Sequence, residues 1–138
     1  MPDGTTFLKA LSGEEIVEAL TAYVNDEKIF AATFQAIGAV REAEIGHFDP
    51  REKKYHKVVL RGPLEILSLQ GNVTRTEDGR SHVHPHVVLS DRDMKAVGGH
   101  LFYGVADPTC ELVLRPFEGI VERRPAPEYG LKLWSLKG

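Results

Sequence analysis

The hydrophobic and polar positions of this chain follow two different periods. Near the N-terminus, apolar residues recur at the three- and four-residue spacing of an amphipathic helix, at Ile16, Val17, Leu20 and Val24. Ser12 precedes them as an N-cap residue, and Glu15 follows it by three residues, as a capping box requires. The pattern predicts one helix, which begins after Ser12 and ends near Asn25 and Asp26.

After this helix the apolar residues come in short runs that favour β-strands: IFAATFQAIGAV, REAEIGHFD, KYHKVVL, LEILSLQGNV, HVHPHVVL, AVGGHLFYGV and CELVLRPF. Turn signals separate several of them, at Asp49-Pro50, Arg61-Gly62-Pro63, Glu77-Asp78-Gly79 and Asp107-Pro108. One helix with about seven strands predicts an α+β fold, in which the N-terminal helix packs on a mainly antiparallel sheet.

We expect residues 1–138 to form a single domain, with the C-terminal tail, residues 119–138, docked on it. An exposed tail would have little reason to keep Trp134 and its neighbouring leucines. The size is sufficient for one hydrophobic core.

Composition and charge narrow the choice of compartment and partner. The 138 residues carry a formal net charge of -3, whereas an isolated DNA-binding domain more often has a basic excess. Cys110 is the only cysteine, so no intrachain disulfide can form, and its apolar strand indicates a core residue. The N-terminus lacks the basic start and apolar run of a signal peptide. We therefore expect a cytoplasmic protein with no membrane partner.

Four of the six histidines lie between His82 and His100. In a strand over residues 82–90, His82, His84 and His86 share one face, opposite an apolar face. If the following loop is symmetric about Asp93, then Leu89 pairs with Val97, Val87 with Gly99, and His86 with His100. Gly98 and Gly99 fit either a β-bulge or a close approach of backbone.

This hairpin predicts a metal site at His84, His86 and His100, because directly opposed Cβ atoms lie about 4.5–5.5 Å apart. Neutral imidazole suits zinc or another divalent transition metal. Three protein ligands leave a fourth position for water, a substrate or a group from a neighbouring chain. His82 lies one residue pair further from His100, so it is a less favoured ligand than the other three histidines. The remaining histidines, His47 and His56, are expected at the surface.

Three segments together resemble the plants and prokaryotes conserved (PPC) domain: GPLEILSLQGNV, HPHVVLSDRDMKAVGGHL and CELVL. The upstream run FQAIGAVREAEIGHFD is similar to the strand pair that opens that domain. The resemblance covers nearly the whole chain. It implies an α+β fold, a homotrimer and a metal site that maps to His84, His86 and His100.

In plants such domains accompany AT-hooks in DNA-binding regulators, whereas prokaryotic members often stand alone. This chain resembles the stand-alone kind, because VERRPAPEYG has no glycine between Arg123 and Arg124 and so lacks the hook core. Binding to DNA is possible by this resemblance but is expected to be weak.

Three functions stay open at this point. The first is a metal-binding homotrimer with a DNA-associated regulatory role. The second is a metal-dependent enzyme or small-molecule sensor, for which Glu65 or Glu111 could act as a general base although a structural role suits each better. The third is an assembly module, in which apolar strands such as LEILSL face a partner subunit. The pattern does not identify a substrate or ligand.

Overall fold

The structure is a computed structural model that describes residues 3–136. It contains one helix and seven strands, in the order β1 (Thr6–Leu11), α1 (Ile16–Asp26), β2 (Ala32–Asp49), β3 (Lys54–Arg75), β4 (Ser81–Ser90), β5 (Ala96–Pro116), β6 (Glu122–Ala126) and β7 (Leu131–Ser135). The strand order in the sheet is β1-β5-β2-β3-β6-β7, and β4 pairs with both β3 and β5. The predicted α+β fold, with the helix packed on a mainly antiparallel sheet, is confirmed.

The sheet closes on itself through β4. Strands β3 and β5 each pair with β2 on one side and with β4 on the other, so the ladder runs β2-β3-β4-β5 and returns to β2. Apolar side chains from these strands and from α1 fill the interior, among them Leu69, Leu89 and Leu114, which are almost completely buried. The polar side of β4 therefore faces outward.

The helix begins later than the sequence pattern predicted. Its N-cap is Glu15, whose carboxylate accepts hydrogen bonds from the backbone N–H groups of Val17 and Glu18. The same carboxylate accepts from the N–H of Gly104 at 3.0 Å, which ties the helix to β5. The prediction of Ser12 as the cap is wrong, because its hydroxyl lies 3.2 Å from the carboxylate of Asp107 instead.

Two of the four predicted turns lie inside strands. The seven predicted runs merge into β2, β3, β4 and β5, while β1, β6 and β7 were not predicted. Gly62-Pro63 sits in a register shift of β3, where Val40 pairs with Leu64 and Glu42 with Arg61. Asp107-Pro108 sits in a similar shift of β5. Such shifts bend a strand without ending it, because the extra residues bulge out of the ladder.

The C-terminal residues form a β6–β7 hairpin that contacts the outer side of β3. The backbone N–H of Arg75 donates to the carbonyl of Val121, and β6 then runs parallel to β3 for a single pair. Arg123 is 5% exposed, whereas Trp134 stays 51% exposed. The side chain that this part of the chain buries is thus an arginine rather than the tryptophan. Within residues 3–136, no helix has both the length and the apolar character needed to cross a membrane.

Candidate metal centre

The strand pairing around the histidines is the one that the sequence predicted. His86 pairs with His100, Val87 with Gly99, and Leu89 with Val97. Residues of β4 alternate between a buried and an outward side, and the histidines lie on the outward side. The two adjacent glycines at the start of β5 mark a close backbone approach: a Cβ on Gly98 would lie 2.6 Å from the carbonyl oxygen of Val87, and one on Gly99 would lie 2.6 Å from that of Gly46.

His84, His86 and His100 converge on one spot of the outer surface. One ring nitrogen from each lies within 4.8 Å of the other two. The ring centroids are 5.0 Å apart for His84 and His86, 5.3 Å for His84 and His100, and 5.5 Å for His86 and His100. His84 and His100 are half-buried and His86 is exposed, so the cluster is open to solvent on the His86 side.

Two aromatic rings pack against the imidazole of His100. The Phe102 ring centroid lies 4.5 Å from that of His100, and the Tyr55 centroid lies 5.2 Å from it. Lys57 places its Nζ 3.9 Å from the Phe102 ring centroid. This wall restricts the rotamer of His100, which favours a fixed ligand position.

The surroundings keep two of the histidines neutral. Burial, together with nearby positive groups, lowers the pKa of both His84 and His100 to about 4; the main such group is Arg123 for His84, and the imidazoles of His86 and His82 for His100. At neutral pH their lone pairs are therefore available to a metal ion. Imidazole binds a metal only in a form with a free lone pair.

The surroundings of His100 Nδ1 indicate whether these residues fit a metal ion. Its Nδ1 is buried and has no hydrogen-bond partner among residues 3–136. A buried polar nitrogen without a partner costs free energy, and a ligated metal ion would relieve it. Three imidazoles also form the donor set that zinc and similar divalent ions accept. The residues present fit such an ion.

Other candidate residues lie outside the cluster. His82 pairs with Thr74 at the far end of β4 and does not belong to the group. Glu65 and Glu111 are exposed, and Glu65 pairs with Ser90, five residues along β3 from the partner of His86. Five residues of a strand span roughly 16 Å, so Glu65 is too distant to act as a base at the cluster. Glu111 pairs with Lys9 and Ile37, also away from the histidines.

His47 and His56 are exposed, as expected. His56 also lies close to Asp49 and Glu52. Asp49 accepts hydrogen bonds from two backbone N–H groups of the β2–β3 turn, and Glu52 pairs with Lys54 at 3.0 Å. The turn and this ion pair account for the carboxylates. Cys110 is buried in the core as predicted, and burial raises the pKa of its thiol to about 11.

Sequence reasoning missed the group that flanks the cluster from the tail. Nη2 of Arg123 lies 3.5 Å from Nδ1 of His84. In the sequence Arg123 stands out only beside Arg124, where an AT-hook core is lacking, and no spacing rule connects it with a histidine almost forty residues earlier. The signal in the sequence was the arginine itself, within the tail segment that forms β6. Only the fold shows that its side chain is buried.

Comparison with solved structures places this architecture among known proteins. A PPC protein from Pyrococcus horikoshii is 32% identical, with a TM-score of 0.90 and coverage of 97% of this chain and 92% of that chain. A metal-containing protein from Archaeoglobus fulgidus is 38% identical, with a TM-score of 0.88 and coverage of 96% and 93%. A candidate DNA-binding protein from Bacteroides thetaiotaomicron is 26% identical, with a TM-score of 0.90 and coverage of 95% and 91%.

No curated protein matches this chain. The model of the Plants and Prokaryotes Conserved (PCC) domain, the family that the sequence resembles, matches residues 3–118, which include all of β1 to β5 and the three clustered histidines. The β6–β7 hairpin lies beyond the match. The chain belongs to the Plants and Prokaryotes Conserved domain family.

Proposed function

We propose that this chain is a metal-binding protein that holds zinc, or another divalent transition metal, at His84, His86 and His100. The observation that carries the proposal is the convergence of three ring nitrogens within 4.8 Å. The similarity to a metal-containing protein of Archaeoglobus fulgidus supports it. When bound, the ion would supply Lewis acidity or a binding position for a ligand. The chain itself supplies three imidazole donors, the aromatic wall behind His100 and an open side at His86.

Metal analysis of purified, tag-free protein tests this proposal. We expect about one zinc ion per chain, because three ligands with one open position form a complete protein-side set. His100→Ala removes the ligand whose Nδ1 lacks a partner, and zinc should fall to background. His82→Ala, on the same outward side of β4 but outside the cluster, is the matched control and should retain zinc. Full occupancy in His100→Ala would show that the site is assigned wrongly.

We propose two roles for the metal site, in order of preference. A DNA-associated regulatory role is the first, supported by the similarity to a candidate DNA-binding protein of Bacteroides thetaiotaomicron. The alternative is a metal-dependent enzyme or small-molecule sensor, supported by the solvent-open side of the cluster at His86. Saturable binding of a small molecule at the metal would favour the alternative.

The chain is also proposed to assemble as a homotrimer, which the family resemblance implies. An apolar patch on the outer surface supports a second copy as the occupant: Phe7, Ile37 and Leu67 are 69%, 60% and 52% exposed. Shallow grooves lined with Val113 and Glu111 connect these three side chains across β1, β5, β2 and β3. A contiguous apolar patch of this kind commonly marks a protein interface. Organisation of residues 1–138 as a single domain, and a cytoplasmic location, stay predictions.

A further inference from the structure

We propose that Arg123 makes the histidine site selective for a small ligand that carries a carboxylate. The ligand would make two contacts, one with Arg123 and one with the metal ion. The contact with Arg123 depends on that residue alone, whereas the contact with the ion rests on the proposed metal site. It deepens the sensor or enzyme alternative by naming the chemical class of the ligand.

The first step is the burial of an unpaired cation. Arg123 is the one buried residue with a charged side chain between residues 3 and 136. Buried charges are normally paired with an opposite charge, because desolvation of a lone ion is costly. The hydrogen-bond acceptors of Arg123 are all neutral: Oγ1 of Thr74 at 3.0 Å, Oδ1 of Asn72 at 3.0 Å and the carbonyl of Lys132 at 2.9 Å.

Nearby carboxylates are engaged by other cations. Glu122 pairs with Arg75 at 2.7 Å and with Arg124 at 2.8 Å, and Glu77 pairs with Lys132 at 2.9 Å. Within the part of the chain that the structure describes, no ion pair includes Arg123. Burial raises the pKa of the Tyr55 phenol, so that neighbour is neutral as well. The protein supplies hydrogen bonds to this guanidinium but no counter-charge.

The second step is the position of the unpaired charge. Its Nη2 lies 3.5 Å from Nδ1 of His84, a distance too long for a strong hydrogen bond. The guanidinium therefore borders the three-histidine cluster at its tail side, while Lys57 lies on the other side near Phe102. An anion at the open side of the cluster would lie beside a divalent metal and a buried guanidinium. Both attract negative charge, and the low local dielectric strengthens the attraction.

The third step restricts the size and type of the anion. Arg123 is only 5% exposed, so the phosphate backbone of a duplex cannot reach it, and its ligand must be small enough to enter beside the exposed His86. A guanidinium has five N–H groups, and three of those on Arg123 are already used, while the second N–H of Nη2 points at Nδ1 of His84 in the long contact. A carboxylate that displaces this long contact would accept from Nη2 and from the free N–H of Nη1, and two such donors match its two oxygens better than the larger acceptor set and charge of phosphate.

The test uses cobalt(II) in place of zinc, because the visible absorption of cobalt reports a change in its ligands. Acetate, acetamide and inorganic phosphate are titrated separately into cobalt-loaded protein at constant ionic strength. We expect acetate to change the spectrum saturably, acetamide to have no effect, and phosphate to bind more weakly than acetate. Arg123→Gln should weaken acetate binding by at least about tenfold, since a charge-assisted hydrogen bond is lost.

Two further variants separate charge from fold. Arg124→Gln makes the same substitution at the adjacent exposed arginine, and acetate affinity should stay within about twofold of wild type, since exposed ion pairs contribute little. Arg123→Lys keeps the charge but loses the forked geometry, and should give an intermediate affinity. If Arg123→Gln does not fold, the wild-type ranking of acetate over acetamide and phosphate, together with Arg123→Lys, still decides.

The outcomes distinguish this inference from the proposed metal site. If cobalt binds but acetate leaves the spectrum unchanged, or if Arg123→Gln binds acetate as well as wild type does, the carboxylate assignment is overturned and the metal site stands. If cobalt does not bind, the metal site fails. Calorimetry then measures acetate binding to wild type and to Arg123→Gln, and decides whether Arg123 binds an anion without a metal ion. Equal acetate affinity in the two proteins would overturn the role of Arg123.

Discussion

The chemical character of the cluster depends on two histidines that behave unlike surface histidines. Burial lowers the pKa of His84 and His100 to about 4, against a usual value of about 6.5. Between these two pH values the unfolded chain binds protons that the folded chain does not. The free energy of unfolding therefore rises with pH in this window and falls as the pH is lowered from about 6.5 towards 4.

We expect metal-free protein to lose stability between pH 7 and pH 5, because His84 and His100 must take up protons on unfolding. In the double variant His84→Gln/His100→Gln this loss should be smaller. Urea unfolding at the two pH values measures the difference, in buffer that contains a chelator. His56→Gln, at an exposed histidine, is the control and should lose as much stability as wild type. An unchanged loss in the double variant would contradict the assigned pKa values.

The position of β5 relative to its neighbours depends on close backbone contacts at its start. A Cβ on Gly99 would lie 2.6 Å from the carbonyl oxygen of Gly46, the residue that pairs with His100 across β2 and β5. This oxygen belongs to backbone and cannot move like a flexible side chain. Any larger residue must push the two strands apart, and His100 moves with its strand.

Gly99→Ala should destabilise the fold by about 1–3 kcal/mol, the usual cost of overpacking, and should weaken zinc binding. Gly104→Ala in the same strand is the control, since its added Cβ would come no closer than 3.4 Å to a neighbouring atom. Thermal unfolding and zinc titration of both variants measure the effects. Wild-type zinc affinity in Gly99→Ala would show that the geometry of the cluster does not depend on this contact.

How much the sequence revealed differs between elements. The β4–β5 hairpin was predicted in its register, because alternation fixes the faces of a strand and a short symmetric loop fixes the pairing. The merging of the predicted runs was missed, since Gly62-Pro63 and Asp107-Pro108 are residue pairs that favour turns in any sequence. In the fold, pairing with the neighbouring strands makes them bulges within a continuous strand instead. The cap of α1 was misplaced because Ser12, with Glu15 three residues later, satisfies the capping box, whereas Glu is not a preferred N-cap residue and contact with Gly104 of β5 favours Glu15.

Part of the candidate site is local in the sequence, and part is brought there from a distant segment. The three histidines lie in one hairpin and needed only local pairing to be brought together. Arg123, by contrast, reaches the cluster through the packing of β6 on β3, a contact between distant parts of the chain. A long-range contact of this kind leaves no periodic signal in the sequence.

Assembly into a trimer should bury the apolar patch formed by Phe7, Ile37 and Leu67. Sedimentation equilibrium is expected to show a trimer at micromolar concentration, and Ile37→Glu should shift it towards monomer, since a buried unpaired carboxylate is costly. Met94→Glu, at a turn residue that is 83% exposed, is the matched control and should remain trimeric. A wild-type monomer across the concentration range would refute the trimer, and a trimeric Ile37→Glu would place the interface elsewhere.

The charge of the molecule limits what it can do with nucleic acid. Non-specific affinity for a duplex comes mainly from lysine and arginine side chains that neutralise phosphates. This chain has 17 such residues against 20 carboxylates. Several of the basic side chains already pair with carboxylates, namely Lys54, Lys57, Arg61, Arg75, Arg124 and Lys132. Arg123 is buried and cannot reach a phosphate backbone.

We therefore expect this chain to bind duplex DNA weakly, with a dissociation constant no tighter than about micromolar at physiological salt. A trimer would present each basic segment three times, which raises affinity only if the copies contact one duplex together. Fluorescence anisotropy at about 0.15 M salt, close to physiological ionic strength, measures this, with a salt titration to count the phosphate contacts. Submicromolar affinity with a steep salt dependence would contradict the expectation and favour the DNA-associated role. Weak binding would instead favour a small ligand at the histidine cluster, since the buried charge of Arg123 is accessible only to a molecule of that size.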